Sequence, residues 1–227
     1  PMFTLSELQD WLARLGAKPQ HARRVYRAML NVAAWPTMHD EKFPKKLREA
    51  IPEIQTKVAS VLRIAHQDDA TENEAAKLLF ELQDGQTIES VLLPREGVCV
   101  SSQVGCAVGC VFCMTGKGGL IRQLDALEII AQVTHARQMR PDTRKVAFMG
   151  MGEPSHNLRA VMAAIEFLGT YGDFPHKNLV LSTVGDQRVF DALATSIVKP
   201  ALAVSLHSTI DEKRRQLLPK AGRLTVE

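Results

Sequence analysis

Apolar residues near the start of the chain recur every three or four positions. Leu5, Leu8, Leu12 and Leu15 form one stripe, Thr4 and Glu7 suit a capping box, and Gly16 follows, so the spacing predicts a helix over 4–16. A second helix is predicted over 19–31, with Ala22, Val25 and Met29 as its stripe. A third, short one opens at Pro44, a residue suited to a first turn, and runs to Ile51. From Val58 the period changes. LLFEL and TIESVLL read as two strands joined through Asp84-Gly85, a strong hairpin signal. Beyond about residue 98 apolar runs alternate with helical patterns: KVAFMGM, a helix at 157–168, NLVLSTVG, a helix at about 187–197, ALAVSLH, then DEKRRQLL. Such alternation argues βαβ units around a parallel sheet covered on both faces. Four strands are read, and LTVE looks like the approach to another element. With Pro1 in place of an initiating Met, part of a longer chain is expected to lie outside these 227 residues.

The expected class is α/β, in three parts: a basic helical accessory domain over 1–55, a β-hairpin connector over 56–97 and a partial (β/α) barrel over 98–227. Composition fits a folded domain, since 45% of the residues are hydrophobic. No apolar run approaches the roughly 20 residues that span a bilayer, and PMFTLSELQD has neither a basic nor an apolar leader region, so a soluble, cytoplasmic protein is expected. A net charge of +3 is too small to argue for nucleic acid. Its distribution says more. Lys18, His21, Arg23, Arg24, Arg27, Lys45, Lys46 and Arg48 crowd the first fifty positions, either as a solvated face or as a patch for phosphates.

All 4 cysteines lie between Cys99 and Cys113, in CVSSQVGCAVGCVFC. Without a secretory signal, metal or redox chemistry outweighs a disulfide scaffold. Cys106, Cys110 and Cys113, spaced x3 then x2, can converge on one centre if the backbone turns tightly, which Gly105 and Gly109 permit. An iron–sulfur cube held by three thiolates leaves one iron open to another molecule. Zinc would want a fourth ligand, and Cys99 is available, although x6, x3, x2 is not a familiar zinc spacing.

C-x3-C-x2-C with Phe112 before its last cysteine, together with CVSSQVGC, FCMTGKGG, FMGMGEP, LSTVG and AVSLHSTIDE, resembles the RlmN/Cfr family of radical S-adenosylmethionine adenosine methyl synthases. The likeness runs from about residue 84 to 219, and RLGAKPQHARRVYRAML resembles the family's accessory domain less closely. It implies a radical S-adenosylmethionine barrel in which Cys106, Cys110 and Cys113 hold a [4Fe–4S] cluster. Gly152, Glu153, Ser182, Ser205, Leu206 and His207 would contact S-adenosyl-L-methionine. Glu89 would match the family's proton acceptor. Cys99 would match the cysteine that resolves a protein–RNA adduct by pairing with a methyl-carrying cysteine beyond Glu227. The resemblance further implies an enzyme, a monomer served by an electron donor such as flavodoxin, acting on C2 of adenine 2503 in 23S rRNA and also on adenine 37 of tRNA. The alternatives are C8 methylation, as in the Cfr branch, and a zinc-bearing RNA-binding module without catalysis. Gln20, TENEAAK, Leu120 and LSTVGD depart from the family's usual residues and bear on substrate choice more than on cofactor chemistry.

Overall fold

The computed structural model describes residues 2–69, 71 and 73–221. The first three elements are helices: α1 (Leu5–Arg14), α2 (Pro19–Met29) and α3 (Lys45–Ala59). Thr4 caps α1 in the expected box with Glu7, and Leu5, Leu8 and Leu12 turn inward. The third helix is longer than its sequence suggests. It passes through Pro52 and carries Leu47, Ile51 and Ile54 into the core, so burial of a continuing stripe outweighs the roughly 3 kcal/mol that an interior proline costs. Pro44 is its cap rather than its first residue, and strand periodicity begins at Leu62, not Val58.

Seven strands form one sheet in the order β1 (Leu62–Gln67), β2 (Ala76–Leu82), β3 (Thr87–Leu93), β4 (Gly97–Cys99), β7 (Lys145–Phe148), β8 (Leu179–Thr183) and β9 (Ala201–Val204). β1 to β4 are antiparallel, with Phe80 opposite Ile88 across the Asp84-Gly85 hairpin. β4, β7, β8 and β9 are parallel. The four parallel strands are those expected, wound in chain order as one side of a barrel. The hairpin extends the same sheet through the pairing of β3 with β4.

Helices α4 (Ala126–Met139), α5 (Leu158–Tyr171) and α6 (Gln187–Thr195) connect the parallel strands, and α7 (Asp211–Leu217) follows β9. α4 carries no readable stripe because it is buried almost all round, from Ala126 through Val133 and again at Ala136 and Arg137. Its start is nonetheless marked by an Asp125–Glu128 capping box. A further pair of short strands, β5 (Gln103–Gly105) and β6 (Leu120–Gln123), frames the cysteine loop.

The basic residues of the first fifty positions are largely engaged within the fold. Arg27 forms a two-pronged ion pair with Asp173 at 2.6 and 2.9 Å, and Arg23 lies over the Tyr171 ring. Arg24 pairs with Asp40 and covers Phe43, buried His21 stacks on Phe43, and Arg48 donates to the Met38 carbonyl. Tyr26 meets Phe167 and Tyr171 on α5. Buried Arg137 of α4 donates to the carbonyls of Leu30, Thr143 and Gly172. The helical bundle is thereby clasped onto the α4–α5 layer, while Lys18, Lys46 and Lys45, the last paired with Glu49, stay exposed together with Arg23.

Candidate functional site

The loop from Cys106 to Gly119 is closed at its base by the β5–β6 pair, where the Cys106 N–H donates to the Gly119 carbonyl at 3.0 Å. Gly105 sits at φ +78°, and a Cβ there would stand 2.0 Å from that carbonyl, so only glycine lets the two strands close. Within the loop Gly116 lies against Gly109, and the Cys113 N–H donates to the Cys110 carbonyl. Behind it, Cys106 and Val108 pack with Val184 and Leu218. Backbone bonds from Val111 to Leu217 and from Lys220 to Val108 join the loop to α7.

Facing the loop are the C-terminal ends of β7, β8 and β9, where open parallel sheets place ligands. The chain leaves β7 through Gly150 and Gly152, both pressed against the Val100–Gln103 segment: a Cβ on Gly152 would meet the Gln103 side chain at 2.7 Å. Glu153 is 4% exposed and fully engaged. Its carboxylate accepts from Thr183 Oγ1 (2.5 Å), Ser155 N (3.0 Å) and Val184 N (3.1 Å), while its own N–H donates to Gln103 Oε1 (2.8 Å). Ser182 and Ser205 lie 3.3 Å apart through their hydroxyls on adjacent strands. His207 adopts φ +59°, and its ring lies 4.6 Å from that of Phe112 in the cysteine loop.

Together these elements enclose a cavity of about 270 Å³, lined by Cys106, Cys110, Cys113, Gly152, Glu153, Ser182, Ser205 and His207 among others. Leu206 is partly exposed and lies outside the lining. So does Cys99, which stands in β4 between Val91 and Ala147 and accepts a bond from the Met149 N–H. Glu89, on β3, is half-exposed and pairs with Lys77 at 3.4 Å, but its backbone reaches the site segment: its N–H meets Met151 Sδ and its carbonyl accepts from Ser101 Oγ.

Burial raises the Cys106 and Cys110 thiols, and the charges of Glu153 and the neighbouring cysteines push the same way. Burial also raises Cys99, opposed by the Met149 N–H. The three loop thiols are free of disulfides, and a single ion would need ligands converging within about 2.3 Å of one point. No group of three or more Cys, His, Asp or Glu among the described residues does so. A cluster that takes one thiolate on each of three irons suits a donor set spread around one cavity wall.

Sequence reasoning passed over four residues that build this site. Gln103 and Thr183 orient Glu153. Gln132, wholly buried on α4, accepts from Ser90 Oγ (2.6 Å) and Ser101 N (2.8 Å) and donates to the Ser101 carbonyl (2.9 Å), while Ser101 Oγ accepts from Met151 N. Arg214 of α7 is buried and donates to the Val184 carbonyl. The one available signal was polarity in apolar company: SSQ directly after a strand, and Gln132 within LEIIAQV.

A glycine-closed cysteine loop set against the ends of parallel strands is the arrangement that the resemblance to radical S-adenosylmethionine proteins implies. Residues 100–224 match the Radical SAM superfamily, and the chain belongs to it. It is 53% identical over 227 residues to a protein of Methylibium petroleiphilum named "probable RNA methyltransferase", covering 98% of this chain and 63% of that one. A protein of the same name from Stutzerimonas stutzeri is 52% identical, covering 98% and 66%. The chain thus spans a little under two thirds of these relatives' length. The crystal structure of a radical SAM methyltransferase from Sphaerobacter thermophilus superposes with a TM-score of 0.78 at 35% identity, covering 96% of this chain and 67% of that one.

Proposed function

We propose that the chain carries the cluster- and cofactor-binding part of an enzyme that methylates an adenosine in RNA, on C2 of an adenine in 23S rRNA and also in tRNA. The observation that carries this reading is the cavity in which the three loop cysteines meet the ends of β7, β8 and β9. The RNA substrate is supported by the relatives' names.

In this reading Cys106, Cys110 and Cys113 hold a [4Fe–4S] cluster, and S-adenosyl-L-methionine lies along Gly152, Glu153, Ser182, Ser205, Leu206 and His207. Bound together, the two supply a 5′-deoxyadenosyl radical. The chain contributes orientation and exclusion of water. Glu153 is immobilised by three donors and presents its backbone rather than its carboxylate, and its ties to Thr183 and Val184 fix the β7 exit to the β8 exit. Phe112 on His207 closes the wall between loop and β9. Glu89 serves as proton acceptor from its place beside Met151, and Cys99 is held protonated by burial until a partner thiol approaches. The target base must leave its stack to reach the cavity, so an unpaired adenosine is the substrate. The exposed Lys18, Lys45 and Lys46 face phosphates.

Nucleoside mass spectrometry of RNA from cells lacking the gene tests the assignment. Loss of 2-methyladenosine is expected. Loss of 8-methyladenosine instead would move the reaction to the other ring carbon, and an unchanged nucleoside profile would overturn RNA methylation.

A further inference from the structure

Among the described residues, the buried arginines have their guanidinium groups engaged by several carbonyls, as Arg140 is by those of Leu93, Thr71 and Glu74, with one exception. Arg122 lies between Asp84 and Glu128, and Arg137 has three carbonyls and the Phe174 ring. Arg214 is 7% exposed, forms no ion pair among the described residues, and leaves its Nε without any hydrogen-bond partner. Among the described residues its side chain bonds the Val184 carbonyl alone. A guanidinium does not lose its proton in a protein, and a buried, uncompensated charge is costly. Such a group is expected to face charge that arrives later.

The surroundings say where from. Val184, which Arg214 grips, packs with Cys106 and Val108 on the back of the cysteine loop, and so does Leu218, one turn along α7 from Arg214. On the far side of Val184 lies Glu153, whose carboxylate takes the Val184 N–H and forms no ion pair among the described residues. A cluster held by the three loop cysteines would bring negative charge beside this buried carboxylate, on the other side of Val184 from the guanidinium.

We propose that Arg214 is a positioning residue for the cysteine loop, the fixed counter-charge that sets the reduction potential of the cluster held by Cys106, Cys110 and Cys113. The inference rests on the cluster reading above and goes beyond it by assigning a role to α7. Net charge and nearby dipoles are among the levers that tune such centres. Reduction adds an electron to an already anionic group, so removing a buried positive charge next to it makes reduction harder.

The test is a redox titration followed by electron paramagnetic resonance on chain reconstituted anaerobically with iron and sulfide, comparing wild type, Arg214→Gln and Arg214→Lys. Arg214→Gln should keep its iron, yet at a fixed applied potential show about a tenfold lower ratio of reduced to oxidised cluster, equal to 59 mV for one electron. Arg214→Lys, which keeps the charge and alters the packing, should titrate like wild type. Equal midpoints for wild type and Arg214→Gln at equal iron content would overturn the proposal, as would an Arg214→Lys shift as large as that of Arg214→Gln. If Arg214→Gln fails to fold, Arg214→Met, which keeps the apolar stem and drops the charge, takes its place with the same expected shift, and an undisplaced midpoint in it overturns the proposal. Wild-type chain that takes up no iron would instead bring down the cluster reading.

Discussion

Two buried polar assemblies lie on either side of the segment Met149–Glu153, and they are finished to different degrees. On the α4 side, Gln132, Ser90 and Ser101 satisfy one another and tie the Glu89 carbonyl to the Met151 N–H. On the α7 side, Glu153 and Arg214 stand across Val184 with a donor left over. A closed hydrogen-bond network in a low-dielectric interior rigidifies what it touches, whereas an open one is costly until something completes it. The first is scaffold and the second is site. The segment between them inherits rigidity from one neighbour and purpose from the other.

The sharpest way to break this contrast is to remove the thiols. Cys106→Ala, Cys110→Ala and Cys113→Ala should each abolish iron uptake after reconstitution while leaving the far-ultraviolet spectrum intact, and Cys99→Ala should retain iron. Equal iron loss in Cys99→Ala would transfer that residue to the site. The next largest effect lies on the scaffold side. Gln132→Leu leaves Ser101 N–H, the Ser101 carbonyl and the Ser90 hydroxyl without partners in a dry interior, and should lower unfolding free energy by about 3 kcal/mol, read from a urea midpoint at unchanged slope. An undisplaced midpoint would mean that the network is ornamental.

The smallest effect comes from an exposed pair that serves as a baseline for both. Hydrogen bonding to Arg27 holds the Asp173 carboxyl below its ordinary value of 3.8. A depressed carboxylate contributes stability that is complete above the unfolded pKa and disappears as pH falls through the folded one. Asp173→Asn should therefore cost a few tenths to about 1 kcal/mol at pH 7, and the deficit should close as pH falls below about 3.8. A deficit that stays constant as the pH falls through the acid range would assign the effect to packing.

The elements legible in the sequence are those with one wet face and one dry one. α1, α2, the Asp84-Gly85 hairpin and the parallel strands each left a period or a turn residue to read. α4 did not, because a helix buried on every side has no contrast. The cysteine triplet and Gly152-Glu153 were legible as words, and the structure brings them to one cavity. Gln132, Thr183 and Arg214 were not, since their importance lies in partners 30 or more positions away, and nothing local marks a side chain whose hydrogen bond spans the sheet. The basic cluster shows the converse: Arg23 and Arg27 look like a surface patch along the chain, yet they reach across to the end of α5.

The two edges of the seven-stranded sheet are guarded differently. β1 carries a bulge near Ile64 and shows Arg63, His66 and Gln67 to solvent, whereas β9 is regular and shows Leu202 and Val204, 41% and 49% exposed. Charges and bulges discourage further pairing, and a straight apolar edge invites it. The sheet can therefore take a further strand at β9 and not at β1, where the bulge and the charges end it.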